Sequence, residues 1–225
     1  MSAPARPASR PPRSPRRSVA KRQGAFHHGD LEWAILEAAS RLLEEHGPLG
    51  VGLRAASRLA GVSHTAPYRH FRNRESILAA LATRGLTELG ERMAAAAGAR
   101  KDPREALQAI AETYVTLAAE RPHRFRLMFG PEVADKGRYP EVRAAGMRAY
   151  QVLIDTIAAG QRAGCVRAGD PTELALGHWA IVHGAASLMV DGLLAERARG
   201  SGGPSGLARL AFEQIRLGTE PRRGS

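Results

Sequence analysis

Apolar residues recur every three or four positions along most of the chain, and no segment alternates apolar and polar residues over the length of a strand. The first such segment begins at Asp30, a good N-capping residue type, and ends near His46, before a Gly-Pro pair. Leu31, Ile35 and Leu42 lie on one face of this predicted helix. The pattern therefore predicts an all-α fold with about nine helices in total.

Capping and turn signals divide the rest of the chain into further helices. We expect these helices at about 53–60, 63–70, 73–97, 103–120, 122–129, 139–164, 171–196 and 204–217. Pro122, Pro140 and Pro171 stand near the starts of three of them, where the missing backbone N–H is best tolerated. A predicted loop from Gly98 to Asp102 separates a first block of helices from a second that begins at Pro103, and we expect a packed joint between them without a free linker.

The segment from residue 53 to residue 71 has the pattern of a helix-turn-helix. Gly61 separates two short predicted helices and supplies the left-handed backbone conformation that the turn needs. Val62 and Phe71 can hold the second helix against the first, so that its N-terminal residues face base edges in the major groove of DNA. An ordinary helical hairpin remains an alternative on this spacing alone.

The charge is concentrated at the start of the chain. The formal net charge is +11, and residues 1–29 contain seven basic residues and no acidic one. These are Arg6, Arg10, Arg13, Arg16, Arg17, Lys21 and Arg22. A Pro-, Arg- and Ser-rich segment of this kind cannot bury enough apolar surface to fold, so we expect a disordered basic arm over residues 1–25. Its charge indicates a polyanionic partner and favours nucleic acid over a membrane surface.

Several functional classes lack support in the sequence. A single cysteine, Cys165, cannot form an internal disulfide, which favours a cytoplasmic location, although a redox-sensing role for it stays open. No apolar run reaches the length of a membrane span. The spacing of His27, His28, His178 and His183 does not indicate a metal site, and no cofactor motif or catalytic constellation is present. We therefore expect neither an enzyme, nor a metal site, nor a bound cofactor.

The run from Ala60 to Leu78 resembles the tetracycline-repressor (TetR) family of bacterial regulators. The resemblance rests on Gly61-Val62-Ser63, Tyr68-Arg69-His70-Phe71 and Asn73-Arg74-Glu75, preceded by Phe26-His27-His28-Gly29-Asp30-Leu31. Farther on, His178-Trp179 and His183-Gly184 are similar to the branch whose C-terminal domain is named for a Trp-His-Gly pattern. Together these motifs extend over most of the chain after residue 25.

The resemblance implies a DNA-binding role for seven residues: Arg54, Ser63, His64, Thr65, Tyr68, His70 and Arg74. Arg54 aligns with a side chain that reaches a guanine edge, and Ser63, His64 and Thr65 open the recognition helix. The others align with phosphate contacts. Core packing of Tyr68 and an ordinary surface position of His70 remain alternatives.

Two positions depart from the pattern of the family. Ser57 stands where a small alanine is usual, so that its hydroxyl needs a partner. Pro67 lies inside the recognition helix, where it removes a backbone donor and can distort the first turn. The set of residues that contacts bases therefore depends on how this helix forms.

The resemblance also implies a ligand cavity and a dimer interface in the second domain. The candidate ligand-binding residues are Tyr114, Phe125, Met128, Phe129, Met147, Tyr150, Trp179 and His183, for which simple core packing is the alternative. In the family, the last two helices of each subunit form a four-helix dimer interface. The implied partners are thus a palindromic operator in double-stranded DNA, a second copy of the chain and a small-molecule effector.

These inferences predict four segments: a disordered arm over 1–25, a helix-turn-helix domain over 26–75, a ligand-binding and dimerisation domain over 76–218 and a disordered tail over 219–225. The predicted function is that of a transcriptional repressor released by a ligand, with activation as a variant that uses the same parts. A sequence-tolerant architectural protein that uses the basic arm, and an enzyme with an incidental helix-turn-helix, are the competing hypotheses.

Overall fold

The computed structural model describes residues 28–133 and 137–219, with side chains from residue 31 onward. Within these ranges the fold is all-α, with nine α-helices, one short 3₁₀ helix and no strand, which confirms the predicted class. The α-helices are α1 His28–Gly50, α2 Leu53–Ala60, α3 Arg74–Gly98, α4 Pro103–Glu120, α5 Pro122–Phe129, α6 Pro140–Arg162, α7 Pro171–Val190, α8 Ala195–Gly200 and α9 Gly203–Thr219. The predicted basic arm and residues 220–225 of the predicted tail lie outside the described residues.

Side-chain caps account for the starts of three long helices. The Oδ1 atom of Asn73 accepts a hydrogen bond from the backbone N–H of Ser76 at 2.9 Å, and the Ser76 hydroxyl accepts one from the Asn73 N–H at 3.2 Å. Asp102 and Asp170 each accept a bond of 2.8 Å from a backbone N–H in the first turn of α4 and α7. These caps satisfy donors that have no partner within the helix, so helix starts are encoded locally.

Glycines with positive φ set the ends of two helices: α7 is shorter than predicted, whereas the interruption of α1 at Gly47 agrees with its predicted end near His46. α7 ends at Val190 instead of residue 196, because Gly192 takes a positive φ of 83° and turns the chain before α8. At the end of α1, Gly47 has a φ of 69° and interrupts the helical backbone, so the last residues of α1 form a separate turn. Both breaks occur at glycine, which adopts this conformation without steric cost.

α3 lies at the centre of the molecule and contacts α1, α4, α5 and α6, while α4 packs against α7 and α9. One continuous apolar core extends from Ile35 in α1 to Ile215 in α9. The N-terminal helices are therefore packed directly on the rest of the protein, as a joint without a free linker. No helix in the described ranges is both long and apolar enough to cross a bilayer.

Candidate functional site

The turn between α2 and the following segment has the geometry of a helix-turn-helix. Gly61 adopts the left-handed conformation with φ 70° and ψ 24°, and the N–H of Val62 donates to the Ser57 carbonyl at 3.0 Å. The buried Ser57 hydroxyl donates to the Leu53 carbonyl at 2.8 Å, so it has the partner that its position requires. The turn is thus held by backbone bonds, and Ser57 is accommodated inside α2.

The predicted recognition helix over 63–70 is corrected by the structure, which has a 3₁₀ helix over Ala66–Arg69. The N–H of Ala66 bonds to the Ser63 carbonyl three residues earlier, at 3.0 Å. Pro67 has no N–H with which to continue the α-helical ladder, and its ring is buried. Its carbonyl accepts from the N–H groups of His70 and Phe71 at 2.9 and 2.8 Å. The proline therefore anchors the segment and limits it to a single tight turn.

Five of the seven predicted DNA-binding residues point their side chains into solvent: Arg54, Ser63, His64, Thr65 and Tyr68. Tyr68 is 54% exposed, which rules out core packing for this ring. The hydroxyls of Ser63 and Thr65 lie 2.9 Å apart and support each other at the start of the 3₁₀ turn. The helix-turn-helix thus presents a guanidinium, an imidazole and three hydroxyls on one small part of the surface.

The remaining two, His70 and Arg74, are occupied within the protein. His70 is half-buried and its Nδ1 lies 3.2 Å from a carboxylate oxygen of Glu32 in α1. The Arg74 guanidinium donates to the carbonyl of Val51 at 2.9 Å and to the carbonyl of Pro48. Arg74 therefore ties the turn after α1 to the start of α3; the residue is also exposed, and its phosphate contact stays a prediction.

Three arginines that sequence reasoning did not single out also surround the helix-turn-helix. Arg58, Arg69 and Arg72 are exposed, and none of them forms an ion pair with another described residue. Arg58 lies one turn after Arg54 on the same face of α2. Their positive charge within the motif is the feature of the sequence that could have identified them as candidates for phosphate contact.

A cavity of about 370 Å³ lies between α3, α4, α5, α6 and α7. Its wall is almost entirely apolar. It is lined by Leu86, Leu89, Met93, Leu107, Ile110, Ala111, Tyr114, Met128, Phe129, Val142, Arg143, Gly146, Met147, Ala149, Tyr150, Leu153, Leu176, His178, Trp179 and Val182. The volume falls in the range of pockets that bury most of a small organic molecule.

Six of the eight predicted ligand-binding residues line this cavity: Tyr114, Met128, Phe129, Met147, Tyr150 and Trp179. Phe125 and His183 instead line a neighbouring pocket of about 310 Å³, which also contains Arg126 and Asp191. The ring of Phe129 lies between the two, with its centroid 4.7 Å from that of His183. Phe125 and His183 are therefore not part of the large cavity, contrary to the prediction. Helical spacing shows which residues share a face, but it does not show on which side of an aromatic cluster a cavity lies.

A chain of hydrogen bonds crosses the wall between the two pockets. The indole N–H of Trp179 donates to the Tyr114 hydroxyl at 3.2 Å, and this hydroxyl lies 2.8 Å from Nδ1 of His183. Nε2 of His183 lies 3.3 Å from the Ser187 hydroxyl. Burial raises the pKa of Tyr114 and lowers that of His183, so both rings are neutral and the phenol donates to the imidazole. The chain fixes the three rings relative to one another.

Polar contacts connect the cavity helix α5 with α1. The guanidinium of Arg124 is largely buried, lies 2.7 Å from Glu88 of α3 and 3.2 Å from Glu44 of α1, and donates to the Ser40 hydroxyl at 2.9 Å. A Cβ atom at Gly85 of α3 would lie only 2.7 Å from the sulfur of Met128, so α5 packs closely here. One short helix thus carries residues of the cavity wall and an ion-pair network that reaches α1.

The outer faces of α7 and α9 carry exposed apolar residues. Leu176, Ile181 and Leu188 of α7 are 56%, 43% and 44% exposed, and Leu210 and Leu217 of α9 are 40% and 69% exposed. The two helices pack against each other. Apolar residues gathered on neighbouring helices are typical of a surface that another protein covers.

Family models and relatives agree with this geometry. Residues 35–81 match the model described as bacterial regulatory proteins, tetR family, and residues 107–201 match the model of a tetracyclin repressor-like C-terminal domain. An HTH-type transcriptional regulator of Mycobacterium bovis is 31% identical over 159 residues, which are 68% of this chain and 65% of that protein. Curated relatives match over 46% to 65% of their own length.

Solved structures share the fold. A protein of unknown function from Rhodococcus sp. RHA1 superposes with a TM-score of 0.74 at 29% identity, with 88% of this chain and all of that chain covered. FadR from Bacillus subtilis, solved in complex with stearoyl-CoA, superposes with a TM-score of 0.66 at 17% identity, with 83% of this chain and 98% of that chain covered. Both neighbours therefore have the same arrangement of helices as this chain.

Proposed function

Because this chain belongs to the tetR family of bacterial regulatory proteins, we propose that it is a homodimeric repressor that a small, largely apolar ligand releases from a palindromic operator. It is a DNA-binding transcriptional regulator, a class distinct from enzymes. The observation that carries the proposal is the combination of an exposed helix-turn-helix with a large apolar cavity in one continuous core. The segments over 26–75 and 76–218 serve as the DNA-binding and the ligand-binding domain.

We assign base readout to Arg54, Ser63, His64 and Thr65, and phosphate contacts to Tyr68 and the unpaired arginines around it. This assignment is supported by their exposure and by the lack of intramolecular ion pairs at Arg58, Arg69 and Arg72. His70 and Arg74 contribute by holding the 3₁₀ turn and the start of α3 in place. A charged side chain with a planar fork, such as that of Arg54, suits the acceptor pair of a guanine edge.

The proposal is tested by selecting bound duplexes from a random pool with the purified full chain. A dimeric repressor is expected to enrich a palindrome whose half-sites lie about 34–36 Å apart, one turn of B-DNA. An architectural protein that uses the basic arm would enrich no sequence. Transcription from the enriched site in a purified system then distinguishes repression from activation.

Replacing Arg54 with Ala is expected to cost about 1–3 kcal/mol of operator affinity and to relax the preference at one base pair in each half-site. The reason is that the substitution removes a base contact and leaves the backbone contacts in place. Binding curves on the operator and on its single-base variants measure both effects. Arg100→Ala, at an exposed arginine in the loop after α3, is the matched control. An equal loss of affinity for random duplexes would show that Arg54 contacts phosphate and does not read a base.

Ligand binding is assigned to the cavity that Trp179, Tyr114 and Met128 line. The shared fold with FadR, which was solved with stearoyl-CoA, supports a ligand with an apolar chain for this cavity. A ligand can weaken operator binding only through its different affinity for the two conformations of the dimer. Typical coupling is about 1–3 kcal/mol, and operator DNA must weaken ligand binding by the same factor.

Trp179→Ala is expected to weaken the response to ligand while operator affinity without ligand stays close to that of the wild type. The indole forms part of the cavity wall, whereas the helix-turn-helix surface is unchanged. Thermal-shift screening identifies a ligand, and operator titrations with and without it measure the response. A variant that responds like the wild type would place the ligand elsewhere.

A further inference from the structure

The hydroxyl and indole groups in the wall of the cavity are already paired within the protein. The Trp179 N–H and the Tyr114 hydroxyl bond to each other, and Tyr114 also bonds to His183. The Tyr150 hydroxyl donates to the Thr172 carbonyl at 3.0 Å. These groups are therefore satisfied before any ligand arrives, and they offer little selection among apolar ligands.

His178 differs from these groups. Its side chain lines the cavity and is 96% buried, since only 4% of the residue is exposed. Nδ1 lies 2.8 Å from the Leu174 carbonyl, and because a carbonyl only accepts, Nδ1 carries the proton. Nε2 makes no hydrogen bond to another described residue, and it is not among the fully buried atoms, so it is accessible from the cavity. Burial lowers the pKa of His178, so the ring stays neutral and Nε2 keeps its lone pair.

We propose that His178 selects, among ligands of the cavity, those that carry a hydroxyl or N–H donor on an otherwise apolar skeleton. The inference rests on the ligand cavity of the proposed function. A ligand that fills the cavity shields Nε2 from water. A donor on that ligand pairs Nε2, whereas an ether or ester of the same size leaves two acceptors facing each other in an apolar wall. Sites with a buried unpaired polar group discriminate strongly against ligands that lack the complementary group.

The test uses two isomers, decanol and methyl nonyl ether, which have the same atoms but differ in the hydroxyl donor. Trp33→Phe removes the tryptophan of α1 and leaves Trp179, in the cavity wall, as the only fluorescent indole of the chain. Titration of this variant is expected to show about tenfold tighter binding of decanol. His178→Leu in the same background is expected to abolish the preference, while His46→Leu, at an exposed histidine, is expected to keep it.

A second measurement does not depend on the folding of a variant. In protein labelled with ¹⁵N-histidine, decanol is expected to shift the Nε2 resonance of His178, and methyl nonyl ether is expected to leave it unchanged. Equal affinity for the two isomers, or an unmoved resonance with decanol bound, would overturn the role of His178 while the cavity remains the ligand site. If neither isomer binds, both this inference and the assignment of the cavity fail.

Discussion

Ile181→Arg is expected to produce a monomer and to lower affinity for the full operator by about 10²- to 10⁴-fold. Ile181 lies on the exposed apolar face of α7, beside the exposed leucines of α9. In the proposed dimer this face is buried against its symmetry mate, so two arginines would meet across the two-fold axis without partners. Each monomer would then hold only one half-site and lose the gain from simultaneous binding.

The substitution is expected to disrupt dimer assembly and to leave folding of the single chain intact, because Ile181 is already 43% exposed in the single chain. Sedimentation analysis measures the mass, and thermal unfolding checks that the variant still folds. Affinity for an isolated half-site is expected to match that of the wild type. Ala94→Arg, at an exposed position of α3, adds the same charge away from this face and is the control. A dimeric Ile181→Arg protein would exclude the α7 and α9 face as the interface.

Arg124→Met is expected to lower the free energy of unfolding by about 3–5 kcal/mol. The substitution keeps an apolar stem of similar length but removes the charge that pairs Glu44 and Glu88. Both carboxylates are mostly shielded from water, with 20% and 29% of their side chains exposed. Glu44 would remain partly buried without a cation, while Glu88 would keep only its ion pair with Arg92. Losing one member of a buried network costs much more than losing a surface ion pair.

The same helix offers a matched control. Arg126, two residues further along α5, pairs with Asp191 at 3.0 Å, but 42% of its side chain is exposed. Arg126→Met is therefore expected to change stability by no more than about 1 kcal/mol. Chemical denaturation measures both variants. Adding Glu44→Gln to Arg124→Met is expected to restore part of the stability, because it neutralises the carboxylate left without a cation. An equal effect of the two arginine variants would contradict the argument.

The Arg124 network also lies between the cavity and α1, where an effect of ligand binding on the DNA-binding helices would be transmitted. Met128 and Phe129, at the end of α5, line the cavity, and Arg124, one turn earlier, bonds to Ser40 in α1. A ligand that displaces α5 therefore acts on contacts to the first helix of the helix-turn-helix domain. We expect variants of this network that remain folded to change the coupling between ligand and operator more than they change either affinity alone.

Most of the helical fold could be predicted from the sequence because its signals are local. An aspartate or asparagine cap needs only the next turn of its own helix, as at Asn73, Asp102 and Asp170. α2, α4 and α5 begin and end where the pattern placed them. The helix-turn-helix likewise rests on one left-handed glycine and a few neighbouring apolar residues, so Gly61 identified it without any long-range information.

Only the tertiary structure decided how individual side chains are used. Whether Arg74 bonds to the carbonyls of Pro48 and Val51 depends on how the end of α1 lies against α3, more than twenty residues away in sequence. The same is true of His183, which packs behind Phe129, and of His178, which lines the cavity. Residue spacing determines the face of a helix on which a side chain lies. The rotation and depth at which that face packs against other helices depend on the whole core. This packing determines whether the side chain lines a cavity, contacts a partner or is exposed to water.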